Sequence, residues 1–238
     1  KSPALAAHRS GGGCTVTLEG AKGKTRVVVR EGDTKLLELP LSGIPATANL
    51  PEKASATNAM FAAAIALKLG FTPEEIAGGL GGFTSDLEQN PGRHNRIEGF
   101  PFDLLLTWVD GATSLHELLK LLEEDDRPAG KRHLYLTIPG NRSDEWTIEM
   151  GRIAAGHFDH YWCSDMVDRR GRPPGELPAL MAQGLREGGV DPQAITCLSG
   201  ADRALGALLE RIEPGSHVTL IVYEVANGLR EIEAARSK

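Results

Sequence analysis

The 238 residues are 41% hydrophobic and 24% charged, with 26 basic side chains against 32 acidic ones for a formal charge of -6. This is a globular balance, and compact units of about 100–200 residues bury cores of their own, so the length allows one large or two small domains. No apolar run approaches the roughly 20 residues of a membrane-spanning helix, and Lys and Arg form no stripe that would follow a phosphate backbone; neither a membrane nor a nucleic acid is an expected partner. Cys14, Cys163 and Cys197 stand far apart with no CxxC, as reduced packing thiols of a cytoplasmic protein do. The chain opens on Lys1 without a charged-then-apolar signal segment, and it reads as a piece of something longer.

Taken in chain order, Thr15–Glu19, Arg26–Arg30 and Lys35–Leu39 are short, partly β-branched runs separated by Gly-rich or Gly-Asp turns, the pattern of an antiparallel meander closed by Pro40 and Pro45. From Ala54 to Leu69 the composition changes to strong helix formers ended by Gly70, and the resulting helix is apolar over most of its surface, which predicts burial. Thr72-Pro-Glu-Glu75 supplies an N-cap, a proline at N1 and a glutamate at N3 for a second short helix toward Leu80. Residues 81–99 have no sustained period and read as a linker.

Beyond it the pattern alternates regularly. Phe102–Val109, His133–Ile138, His160–Cys163, Ala194–Leu198 and His217–Tyr223 read as strands, with helices starting near Ser114, Asp144, Pro174, Ser199 and Ala226. Ser114 with Glu117, and Ser199 with Asp202, have capping-box spacing. Strand and helix repeated about five times predict βαβ crossovers and a mostly parallel sheet covered on both faces. The expected class is α/β: a Rossmann-like domain over 96–238, preceded over 1–95 by a β-meander with helices.

Gly20-Ala-Lys-Gly-Lys-Thr25 ends like a phosphate-binding loop. Such a loop needs a further glycine where Leu18 stands, and it must open a helix, whereas Arg26–Arg30 is a β-type run, so a hairpin turn is predicted. In open parallel sheets ligands sit at the carboxyl ends of the strands. Three polar segments fall there: Trp108–Ser114, Pro139–Glu145 and Ser164–Glu176. The second places Gly140 for close backbone approach, Arg142 as a fork for phosphate or carboxylate, and Asp144 at a helix start, or else it is an ordinary capped turn. The third carries Asp165, Asp168, Arg169, Arg170, Arg172 and Glu176, a mixed cluster suited to a zwitterion such as an amino acid, or a salt-bridged loop. The histidines have no metal-ligand spacing, no nucleophile elbow is present, and no catalytic residue or metal ligand is assigned.

Thr57-Asn58-Ala59 in an Ala-rich helix, Phe83–Arg93 with its Asn-Pro-Gly-Arg, Pro139–Glu145, Gly151–Ala155 and Asp168–Glu176 together resemble the C-terminal part of the cyanophycin synthetases, which belong to the Mur ligase superfamily. The resemblance runs over nearly the whole chain. It implies that 1–95 is a remnant of the Mur central domain and 96–238 the C-terminal domain. It implies an ATP- and magnesium-dependent ligase that phosphorylates a carboxylate and lets an amine displace phosphate, here joining arginine to an aspartate side chain. Carried onto this sequence, Asn58, Asp110, Arg142 and Asp144 are expected on the nucleotide side, and Asp168, Arg170, Arg172 and Glu176 on the side of an amino-acid or peptide-like substrate.

The family's Asp-Tyr-Ala-His-Asn-Pro signature is replaced by Thr107–Ala112, with Asp110 at the histidine's place, and the His-Asn pair before Asn58 is Ala54-Ser55. The P-loop and magnesium ligands would belong to upstream segments, so ATP and magnesium are expected of the complete ligase and this chain alone is not expected to transfer phosphate. The alternative is a ligase-derived domain that has lost catalysis and serves as a scaffold or in homo-oligomerisation.

Overall fold

A computed structural model describes residues 2–21, 24–47, 52–124, 130–199 and 204–237, the side chains of 52–54 excepted. The chain divides into two compact units, Lys1–Asn90 and Pro91–Lys238.

In the first unit β1 (Cys14–Glu19), β2 (Arg26–Glu31) and β3 (Thr34–Pro40) form an antiparallel sheet in that order. The turn between β1 and β2 is the Gly20–Thr25 segment: Glu19 pairs with Arg26, and Lys24 N–H bonds the Ala21 carbonyl at 2.9 Å. The loop therefore leads into a strand, as a hairpin does; its Lys22 and Gly23 lie outside the described residues. A short helix α1 (Pro3–Ser10), not foreseen from the sequence, precedes the sheet.

Helix α2 (Glu52–Lys68) lays Ala56, Ala59 and Ala63 against Val27, Val29 and Leu37, small side chains letting helix and sheet approach closely. Its opposite stripe contradicts the expected burial: Phe61, Ile65 and Leu69 are 60%, 58% and 72% exposed. A helix offers a flat sheet one face only, so an all-round apolar sequence leaves the far face uncovered. Helix α3 (Pro73–Gly81) begins with the predicted capping box, Glu75 N–H bonding Thr72 Oγ1 at 3.2 Å and Thr72 N–H bonding Glu75 Oε2 at 2.8 Å.

The second unit is a six-stranded sheet. Its strands are β4 (Asn95–Ile97), β5 (Asp103–Thr107), β6 (Arg132–Leu136), β7 (His160–Ser164), β8 (Ile195–Leu198) and β9 (His217–Ile221), in the order β4-β5-β9-β6-β7-β8. All neighbours are parallel except the edge pair β4–β5. Strand β4 falls in the segment read as linker, because three residues are too few to show a period.

Alternation along each strand sends side chains to two layers. Leu105, Leu134, Leu136, Tyr161 and Cys163 meet α4 (Ala112–Glu123), α5 (Asp144–Ala154) and α6 (Glu176–Glu187) through Leu115, Met150 and Met181. Leu104, Leu106, Tyr135, Trp162 and Val218 meet α7 (Ala204–Leu209) and α8 (Val225–Arg236) through Leu205, Leu208 and Ile232. No described helix is long and apolar enough to cross a membrane.

One predicted cap is relocated, and the helix start expected at Asp144 is found there. Helix α4 starts at Ala112, so Ser114 is its third residue rather than its cap; its hydroxyl reaches back to accept from the Asp110 and Gly111 amides at 3.0 and 3.2 Å. In α5 the cap is Ser143, which accepts from Trp146 N–H at 3.2 Å, and Asp144 is the first helical residue. The Ser199–Asp202 pairing reaches outside the described residues.

Candidate functional site

Strand β9 returns between β5 and β6, so the order of the sheet reverses there, and α4 and α8, which follow β5 and β9, cover opposite faces. Such a switch point opens a crevice at the carboxyl ends of the strands. The structure has a cleft of about 370 Å³ at that place. Trp108 after β5, Pro139, Asn141 and Arg142 after β6, and Met166, Asp168 and Arg170 after β7 line it, so all three predicted segments contribute. Tyr223 and Glu224 after β9 complete the wall. The sequence carried a signal for these two, since His217–Tyr223 reads as a strand whose end belongs on the same edge.

Each loop is fixed by identifiable contacts. Arg142 lies over the Trp146 ring at 5.1 Å and its guanidinium makes no hydrogen bond or ion pair among the described residues. Glu224 accepts from the amides of Val167 and Asp168 at 2.8 and 3.2 Å. Asp168 in turn accepts from Arg170 N–H at 2.9 Å and stands 3.8 Å from the Arg170 guanidinium. Tyr223 donates to the Val109 carbonyl and meets Trp108 edge-on at 6.0 Å. Burial pushes its phenol up to about 12, against the opposing pull of the Arg142 charge. Trp108 is covered by the Arg93 guanidinium at 3.8 Å from its centroid, and burial there lowers the Arg93 pKa.

The remaining expected residues sit elsewhere. Asp110 accepts from Ser114 Oγ at 2.6 Å at the start of α4. Asp144, Arg172 and Glu176 bind one another, the Arg172 Nη1 standing 2.6 Å from each carboxylate, and the two acids hold its guanidinium above its ordinary pKa. Asn58 is exposed on α2 of the first unit. Asp165, only 1% exposed, accepts from Gly175 N–H at 2.7 Å with Oδ2, while Oδ1 has no partner beside a small cavity lined by Tyr135, Glu224 and Glu231.

No protein-family model matches the chain. A cyanophycin synthetase from Synechocystis sp. is 26% identical over 210 residues, 88% of this chain and 24% of that protein. MurF from Acinetobacter baumannii superposes with a TM-score of 0.57 over 94% of this chain and 45% of MurF, at 17% identity. The chain is thus similar in sequence to cyanophycin synthetases and shares the fold of part of the Mur ligases. It spans about a quarter of the curated relative's length and less than half of the structural one's. A second Mur ligase of the same fold, MurF from Thermotoga maritima, was solved in complex with ADP, at a TM-score of 0.50 and 16% identity over 94% of this chain and 47% of that one.

The Gly20–Thr25 segment does not fit the phosphates of a nucleoside triphosphate. The Gly20–Thr25 turn joins two antiparallel strands, so no helix N-terminus stands behind it to hold phosphates. Among the described residues no three His, Cys, Asp or Glu side chains are grouped to hold a metal.

Proposed function

We propose that this chain supplies the amino-acid side of an ATP-dependent, amide-forming ligase of the cyanophycin synthetase type, in which arginine is added to an aspartate side-chain carboxylate through an acyl phosphate. The observation that carries the reading is the cleft at the switch point, where the free guanidinium of Arg142 stands among polar loops from β6, β7 and β9. Arginine is suited to gripping a carboxylate with two parallel hydrogen bonds, and Asp168 offers acceptors to an amine or guanidinium. A zwitterion held at both ends presents its amine in one orientation, the entropic part of the catalysis.

Phosphate activation belongs, in this reading, to segments of a longer protein carrying the P-loop and magnesium ligands. Asn58, Asp110 and Asp144 are retained on the nucleotide side on the family pattern, whereas Arg142, matched to that side by the resemblance, is read here as the carboxylate-binding cation of the cleft. The protein is read as cytoplasmic. A second reading has its own support: with Asp110 at the histidine's place and tied to Ser114, the chain would be a ligase-derived scaffold or oligomerisation domain.

Calorimetric titration of the full chain with arginine, aspartate and glycine separates the two. The ligase reading expects saturable binding of an amino acid, weakened at least tenfold by Arg142→Ala. Failure of all three to bind removes it in favour of the scaffold.

A further inference from the structure

Arg172 was matched by resemblance to the substrate side, yet its donors are almost fully engaged. Its Nε donates to the Gly140 carbonyl at 3.1 Å, Nη1 to Asp144 Oδ1 and Glu176 Oε1 at 2.6 Å each, and Nη2 to the Arg142 carbonyl at 2.7 Å. A guanidinium has five N–H donors, so a single one is left. Two carboxylates around one cation also leave the group with a net negative charge, which repels a substrate carboxylate. The side chain is 18% exposed.

The four acceptors come from one loop and the first residues of two helices. Gly140 and Arg142 lie in the β6–α5 loop, Asp144 opens α5 and Glu176 opens α6, while Arg172 itself belongs to the β7–α6 loop. The two loops touch so closely that a Cβ on Gly140 would stand 2.1 Å from the Arg169 carbonyl. At its other end the β7–α6 loop is held by Glu224 on the Val167 and Asp168 amides, and at its base by Asp165 on the Gly175 amide. Arg142, by contrast, has its carbonyl gripped by Arg172, and its guanidinium, over the Trp146 ring, has no hydrogen bond or ion pair among the described residues.

We propose that Arg172 is a positioning residue, which ties the β6–α5 and β7–α6 loops into one register so that Arg142 faces the cleft as the carboxylate-binding cation. This rests on the reading of the cleft as an amino-acid site. The carboxylate grip of the site then depends on a residue that does not itself touch the substrate.

The test uses the full chain with Arg172→Lys, which keeps the charge but concentrates its donors on one nitrogen, alongside Arg142→Ala and the double variant Arg142→Ala/Arg172→Lys. Hydrogen exchange is measured without ligand: Arg172→Lys should raise exchange at least tenfold at the amides of 140–142, 167–172 and 175 while β6 and β7 amides stay protected. Unchanged exchange overturns the positioning role, whatever binds. With L-arginine and L-aspartate as probes, each single variant should lose at least tenfold in affinity and the double variant no more than Arg142→Ala alone. Losses that multiply in the double variant mean that Arg172 contacts the ligand independently, which overturns the proposal while leaving the amino-acid site standing. Raised exchange in Arg172→Lys, with a wild-type chain that binds neither amino acid, removes the ligase reading and sustains Arg172's hold on the loops.

Discussion

Gly140 shows how a single position carries both packing and the shape of the cleft. The sequence suggests close approach of its backbone to a ligand, and in the structure the neighbouring loop stands there instead: an added Cβ would stand 2.1 Å from the Arg169 carbonyl and 3.1 Å from Arg172 Cγ. A backbone atom cannot move aside as a side-chain tip does, so Gly140→Ala must shift a loop, at a cost of about 2 kcal/mol. Urea unfolding followed by tryptophan fluorescence measures this directly, since Trp108, Trp146 and Trp162 all lie in the second unit. A variant as stable as the parent would show that the loops separate freely. Residue types at this scale were legible, Arg142 and Asp168 on the cleft among them, but which arginine is free and which is consumed was not. Arg142 and Arg172 are equally charged in sequence, and only their acceptors distinguish them.

At the scale of elements, helices α5 and α6 cross at glycines. A Cβ on Gly184 would lie 1.9 Å from the Ile148 carbonyl, and one on Gly151 would lie 2.4 Å from the Met181 carbonyl. Gly184→Ala is expected to cost about 2 kcal/mol and to lower Tm by about 4–8 °C, because two backbones must part. Gly78→Ala in α3, where nothing lies within 4 Å of the added Cβ, should have the opposite sign and stabilise by about 0.5–1 kcal/mol through the unfolded chain. Differential scanning calorimetry of both variants checks the pair; equal shifts would mean that the crossing is not tight. Periodicity announced α5 and α6, and capping chemistry announced α3, because both are local. The exposed stripe of α2 and the three residues of β4 escaped, the first because composition does not say which face finds a partner, the second because so short a strand has no pattern.

For the whole molecule, the clearest pH response should come from histidines. Burial first, then the Arg93 and Arg96 charges, depress His94 to about 4. Burial also lowers His133, whose ring nitrogens have no partner, and His160. In the unfolded chain these groups titrate near 6.5, so as pH falls below that value the unfolded state takes up protons that the native state refuses. Stability should therefore be flat above about pH 6.5 and fall between 6.5 and about 4.5, His94 alone contributing about 2 kcal/mol by pH 5. The half-buried Glu38, lowered to about 2 by Lys35 and Arg26, acts only below that window. Urea midpoints at pH 7.5, 6.5 and 5.5 test the slope, and His94→Gln should flatten most of it; an unaltered slope in that variant would place the effect in another group.

The sequence by itself determined what is local and periodic: the meander, the α/β alternation, the hairpin in place of a phosphate loop, and the three polar segments at strand ends. It also carried the resemblance to cyanophycin synthetases, one of which is 26% identical over 210 residues. Tertiary structure alone decided that β9 lies between β5 and β6, and so that Tyr223 and Glu224 join Trp108, Arg142 and Asp168 at one cleft. It alone decided that Arg172 is consumed by loop carbonyls and two carboxylates. Strand order and hydrogen-bond partners depend on contacts between residues far apart in the chain, where no local pattern records which donor will meet which acceptor.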